Sequence, residues 1–119
     1  MSLRSLIAAI VTLAVLVGIG ASSVLASESQ TQATVRVSAL DTLKFTLSTK
    51  RARHGTVTFV VTNKGALKHD FWIAGKKTRL LGHNKSQTIT ATIKKGNNAY
   101  KCTVAGHAAA GMKGIFVGT

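Results

Sequence analysis

The chain has 119 residues, 45% of them hydrophobic, with 16 Lys and Arg against 3 Asp and Glu, for a formal net charge of +13 at pH 7. That length leaves room for one domain and excludes a second. Frequent valine, threonine and isoleucine favour pleated sheet over helix, and the basic excess points to anionic partners.

Residues 1–26 read as an export signal. Arg4 supplies a positive start, an apolar run from Leu6 to Ala21 is interrupted by Thr12 and glycines, and Val24 and Ala26 suit cleavage before Ser27. The run is close to the roughly 20 residues that span a bilayer, so an uncleaved membrane anchor is the alternative. Either way the domain is expected outside the cytoplasm, in a periplasm or at a cell surface. Cleavage would leave 15 Lys and Arg against Glu28, Asp41 and Asp70, a net charge of +12. An exported domain of this charge meets acidic proteins, anionic membrane surfaces or wall polymers, and no nucleic-acid partner is expected.

Residues 27–34 are polar and aperiodic and read as a short linker to a domain over 35–119. There the pattern turns to alternation. Val35 and Val37 share one parity, as do Leu43, Phe45 and Leu47, and then Val57, Phe59 and Val61. Each run predicts a half-buried strand. Glycine-bearing turns, "RARHG" and "TNKG", flank the third. Further on, His69 shares its parity with Phe71 and Ile73, so the reading starts a strand at His69 with its ring inward. "QTITATIK" places Ile89, Ala91 and Ile93 inside. Tyr100, Cys102 and Val104 share the next inward face, and "GIFVGT" closes the chain. About seven short strands without a helical period predict an all-β sandwich or barrel.

The sulfur chemistry is concentrated in "YKCTVAGHAAAGMKG", which holds the only cysteine and the only methionine besides Met1. Exported small domains ordinarily pair their cysteines, so a single thiol is expected to be either buried and inert or bound to something. Cys102, His107 and Met112 stand in the order Cys-x4-His-x4-Met. A thiolate, an imidazole and a thioether are poor donors for calcium or magnesium and unusual together for zinc, whereas they suit copper. A trigonal copper site needs a second histidine. His69, ahead of an inward-facing strand, fits best; His54 and His83 lie in polar turns where a solvated ring is the ordinary outcome. As plain packing, Cys102 and Met112 would be small core side chains, but that reading explains neither the fixed order of three metal-binding types nor an unpaired exported thiol.

The segment from about Val35 to the end resembles the cupredoxin family of blue copper proteins in the order of "TVTFVVTNKG", "LKHDFWI" and "YKCTVAGHAAAGMKG". The spacing from cysteine to methionine is similar to the azurin and rusticyanin branches more than to plastocyanin. The resemblance implies a Greek-key sandwich with one type 1 copper at one end, held by His69, Cys102, His107 and Met112. Two positions depart from the family pattern: Asp70 stands where asparagine is frequent, and Ala105 where proline is common. Asp70 is expected to accept hydrogen bonds from the Thr103 backbone or hydroxyl.

The function so implied is one-electron transfer between Cu(I) and Cu(II), by a monomer serving an acidic redox partner such as a cytochrome or oxidase. Lys68, Lys101 and Lys113 adjoin proposed ligands and would steer that encounter. The alternative is an exported copper carrier or sequestration protein. An enzyme is not expected, because related copper oxidases and reductases need further copper ions and four histidines cannot furnish them.

Overall fold

The computed structural model of the chain describes residues 18, 20 and 31–119. The export segment read over 1–26, Gly18 and Gly20 apart, and linker residues 27–30 lie outside the described residues. The described residues form nine strands: β1 (Thr34–Leu40), β2 (Lys44–Leu47), β3 (Arg51–Ala52), β4 (Gly55–Asn63), β5 (Trp72–Ile73), β6 (Lys76–Lys77), β7 (Ser86–Ile93), β8 (Gly96–Lys101) and β9 (Lys113–Gly118). Among the described residues there is no helix.

The strands form two sheets, ordered β2-β1-β4-β7 and β3-β9-β8-β5-β6. Pairing is antiparallel except for β1 with β4 and β3 with β9. A long central strand explains the first sheet: β4 pairs Ala39 with Asn63 on one edge and Phe59 with Ile89 on the other. The architecture is the expected all-β Greek-key sandwich.

Alternation decides what each strand buries. Val35, Val37 and Ala39 of β1, Val57, Phe59 and Val61 of β4, and Ala91 and Ile93 of β7 face inward and are fully or nearly fully buried. Opposite them lie Phe71, Ile73, Tyr100 and Phe116. Five of the six aromatic rings form one cluster, with Phe71 touching Phe45, Phe59 and Tyr100 at centroid distances of 5.2, 5.6 and 5.6 Å. Edge and tilted contacts of this kind add to what area burial already contributes. The cluster makes a floor that Phe45 joins to the smaller group of Ala39, Cys102 and Met112.

Three details depart from the sequence reading. The count rises from about seven to nine because β3 and β6 are two residues each, too short to show alternation. Leu43 is not a strand residue; it closes the β1–β2 turn at φ 56°, its amide donating to the Leu40 carbonyl at 3.0 Å. His69 does not begin a strand either. It forms an isolated bridge with Leu81, each amide donating to the other's carbonyl, and β5 starts only at Trp72.

Candidate metal centre

One end of the sandwich gathers the close of β1, the close of β4, the approach to β5, the close of β8 and the approach to β9. Cys102 follows β8 directly and Met112 precedes β9, so the register of one hairpin sets both sulfur residues at the same end. The Cys102 amide donates to the Met112 carbonyl at 3.0 Å, extending that hairpin past its last ladder pair. Between them the chain turns tightly. The His107 amide donates to the Val104 carbonyl at 3.0 Å, the Met112 amide donates to the His107 carbonyl at 3.0 Å, and Gly106 and Gly111 take φ values of 81° and 112°. Only glycine adopts such angles without strain, so the "AGHAAAG" composition lets the loop fold back on itself.

His69 arrives from the other direction, pinned by its bridge to Leu81. His69, Cys102 and His107 each bring one donor atom to a group that lies within 4.8 Å throughout. His69 Nδ1 is 3.2 Å from His107 Nδ1, and Cys102 Sγ is 3.5 Å from His107 Nδ1. Ligand bonds of about 2.0–2.3 Å would set donors roughly 3–4 Å apart around a single ion, and the two sides that meet at His107 Nδ1 fall in that range. His69, Cys102 and Met112 are fully buried, and His107 is partly exposed. Met112 packs with Ala39 against Cys102, under Leu43, Phe45 and Val104.

The structure therefore brings together three of the four residues singled out in the sequence as donor atoms, and buries the fourth, Met112, beside Cys102. His54 and His83 are elsewhere: their Nδ1 atoms meet the Thr119 and Gly65 carbonyl oxygens at 2.7 and 2.8 Å. Burial pushes the Cys102 thiol upward in pKa, opposed by the backbone amides of Asp70 and Val104 directed at the sulfur. Asp70 ties the two donor segments as expected: its Oδ1 accepts from the Thr103 amide at 2.6 Å, and its Oδ2 accepts from the Thr103 hydroxyl.

Two residues important to this end escaped the sequence reading. Asn63 is fully buried, donating through Nδ2 to the Leu67 and Leu81 carbonyls at 2.7 and 2.8 Å, while its Oδ1 accepts from the Gly65 amide at 2.9 Å. Its signal was available, because it shares the inward parity of Val57, Phe59 and Val61. Asp41 accepts from the Ala66 amide, the Leu67 amide and the His69 ring. These bonds, that from Ala66 foremost and then that from His69, hold its carboxyl below the ordinary pKa. No spacing rule links residue 41 to residue 69.

One cysteine sulfur and two imidazoles, with a buried methionine packed beside the cysteine, make a donor group that suits copper and is a poor one for calcium or magnesium. No protein-family model matches the chain, and no curated protein matches it. Solved structures do. The chain is similar to the dithionite-reduced auracyanin of the photosynthetic bacterium Roseiflexus castenholzii, at 21% identity, covering 74% of this chain and 98% of that one, TM-score 0.64. It is similar to auracyanin B at 20% identity, covering 72% and 88%, TM-score 0.60. It is also similar to the azurin Az-iso2 of the obligate methylotroph Methylomonas sp. strain J, at 16% identity, covering 73% and 98%, TM-score 0.59. The fold is cupredoxin-like.

Proposed function

We propose that this chain is an extracytoplasmic one-electron carrier with a single type 1 copper bound by His69, Cys102, His107 and Met112. The observation that carries the reading is the triangle of His69 Nδ1, His107 Nδ1 and Cys102 Sγ, formed by segments more than 30 residues apart in sequence at one end of a cupredoxin-like sandwich, with His69 and Cys102 buried and His107 partly exposed. The ion, when bound, supplies the one-electron couple. The protein's part is to hold its donors in a compact arrangement set by backbone bonds, so that little has to move when charge is gained or lost. The apolar cover of Ala39, Leu43, Phe45 and Val104 excludes water and favours the lower charge state.

His107 is the partly exposed donor, flanked by Ala105, Gly106, Ala109 and Ala110 on the surface. Short side chains there let a partner come close to the imidazole edge. Lys68, Lys101 and Lys113 are exposed and adjoin three of the four proposed ligands in sequence. They favour an acidic redox protein such as a cytochrome or oxidase, and the wider basic surface favours an anionic membrane.

The test is addition of copper(II) to the purified metal-free protein. Electron transfer predicts an intense visible thiolate-to-copper band and reversible cycling with one electron per protein. A colourless complex that hands its copper to an acceptor would replace this reading with copper transport.

A further inference from the structure

The whole chain contains three acidic residues, Glu28, Asp41 and Asp70, in a protein of formal net charge +13. Both that fall among the described residues stand against the donor triangle. Asp70 binds Thr103 and joins two loops. Asp41 does something different: it faces a proposed ligand ring directly.

Asp41 lies in the β1–β2 turn, where the positive φ of Leu43 turns the chain back toward β2. Its Oδ2 accepts from the Ala66 amide at 2.7 Å, and its Oδ1 accepts from the Leu67 amide at 3.1 Å and from His69 Nε2 at 3.1 Å. The carboxylate thus ties the β1–β2 turn to the stretch between β4 and β5 through three bonds. Gly65 is buried beside it, and a Cβ there would overlap the Asp41 carboxylate, so glycine leaves the space that the acid fills. His69 has no solvent contact, while the Asp41 side chain is 39% exposed.

An ionised carboxylate only accepts hydrogen bonds, so the proton of a neutral His69 must sit on Nε2. The lone pair is then on Nδ1, the atom that faces His107 Nδ1 and belongs to the triangle. We propose that Asp41 is a positioning residue of the metal centre, holding His69 in the Nε2–H tautomer with Nδ1 directed at the ion and, through the imidazole, lowering the reduction potential relative to a neutral acceptor. The potential half rests on the copper reading above; the tautomer half does not. A carboxylate behind a ligating imidazole makes the ring a stronger donor and favours the more highly charged ion. At an exposed carboxylate the charge effect is screened, and the orientation effect is not.

Three variants separate these effects. Asp41→Asn removes the charge and the Oδ2 acceptor of the Ala66 amide while keeping one oxygen for His69, Asp41→Ala removes the carboxylate altogether, and Gly65→Ala keeps the charge while displacing it. Nitrogen-15 spectra of the imidazoles, taken on metal-free and zinc-loaded full-length protein, read the tautomer; voltammetry of the copper-loaded protein reads the potential. The proposal predicts a single Nε2–H tautomer of His69 in the wild type and in Asp41→Asn, and mixed tautomers in metal-free Asp41→Ala and Gly65→Ala. It predicts roughly 10–100-fold weaker metal binding in Asp41→Ala, and a raised potential in Asp41→Asn with the visible band retained. An unchanged potential in Asp41→Asn, or a single Nε2–H tautomer surviving in both Asp41→Ala and Gly65→Ala, would overturn it. If Asp41→Ala does not fold, Gly65→Ala and Asp41→Asn decide. Wild-type protein that takes up no copper would sink the copper reading and the potential half with it, while the metal-free spectra would still uphold or overturn the hold of Asp41 on His69.

Discussion

Replacing Asn63 with alanine removes three hydrogen bonds from a side chain without solvent contact. Its partners fare differently. The Leu81 carbonyl keeps the His69 amide as donor at 3.2 Å, but the buried Gly65 amide loses its side-chain acceptor and the Leu67 carbonyl its side-chain donor. At about 1 kcal/mol net per bond, the loss should be about 3 kcal/mol. For a domain of this size that corresponds to a Tm lower by roughly 12–24 °C. Urea and thermal unfolding of the metal-free protein, followed by Trp72 fluorescence and circular dichroism, measure it. Asn63→Asp makes a sharper companion. It retains the acceptor for Gly65 but sets a carboxylate against two carbonyl oxygens, so it should destabilise at least as much as alanine. Because Leu67 also donates to Asp41 and Leu81 is bridged to His69, both variants should weaken copper binding as well. A loss under about 1 kcal/mol in Asn63→Ala, the worth of one ordinary bond, would refute the reasoning.

Phe71→Ala removes the ring that touches Phe45, Phe59 and Tyr100 two residues from His69; it should cost about 3–5 kcal/mol and broaden the visible band, and a stable variant with an unaltered band would count against the aromatic floor. Burial pushes the Tyr100 hydroxyl above its ordinary pKa of 10.0. Above about pH 10 the unfolded chain therefore sheds this proton while the folded protein keeps it, and stability falls as pH rises. Tyr100→Phe should flatten that alkaline decline in denaturant unfolding, and an unchanged slope would contradict the assignment. Electron exchange with an acidic redox protein should slow as salt increases, and the salt dependence should shrink when Lys68, Lys101 and Lys113 are replaced by glutamine; identical salt slopes would remove those lysines from the encounter.

The sandwich was legible because strand parity writes burial directly into the order of side chains: Val57, Phe59 and Val61 can face one way only if the strand is regular. The sulfur residues were legible because they are scarce, and His69 because two apolar residues follow it at the same parity. The tie between Asp70 and Thr103 followed once the two loops were thought adjacent. What parity cannot reach is a contact made by a turn. Asp41 meets His69 because Leu43 adopts a left-handed angle, a conformation that leucine does not announce. The same limit applies to His69 itself, which is held by a bridge to Leu81 rather than by a strand ladder, and to β3 and β6, whose two-residue pairings leave no period. Asn63 was legible in principle. Its amide stands at the inward end of a regular series, and reading "TNKG" as a turn obscured it.

The most direct measurement is X-ray absorption at the copper edge of the loaded protein, which counts the atoms bonded to the ion. One sulfur at short distance with two imidazole nitrogens is the predicted shell, and Cys102→Ser should lose that sulfur. A shell of nitrogen and oxygen alone in the wild type, unchanged by Cys102→Ser, would contradict the account.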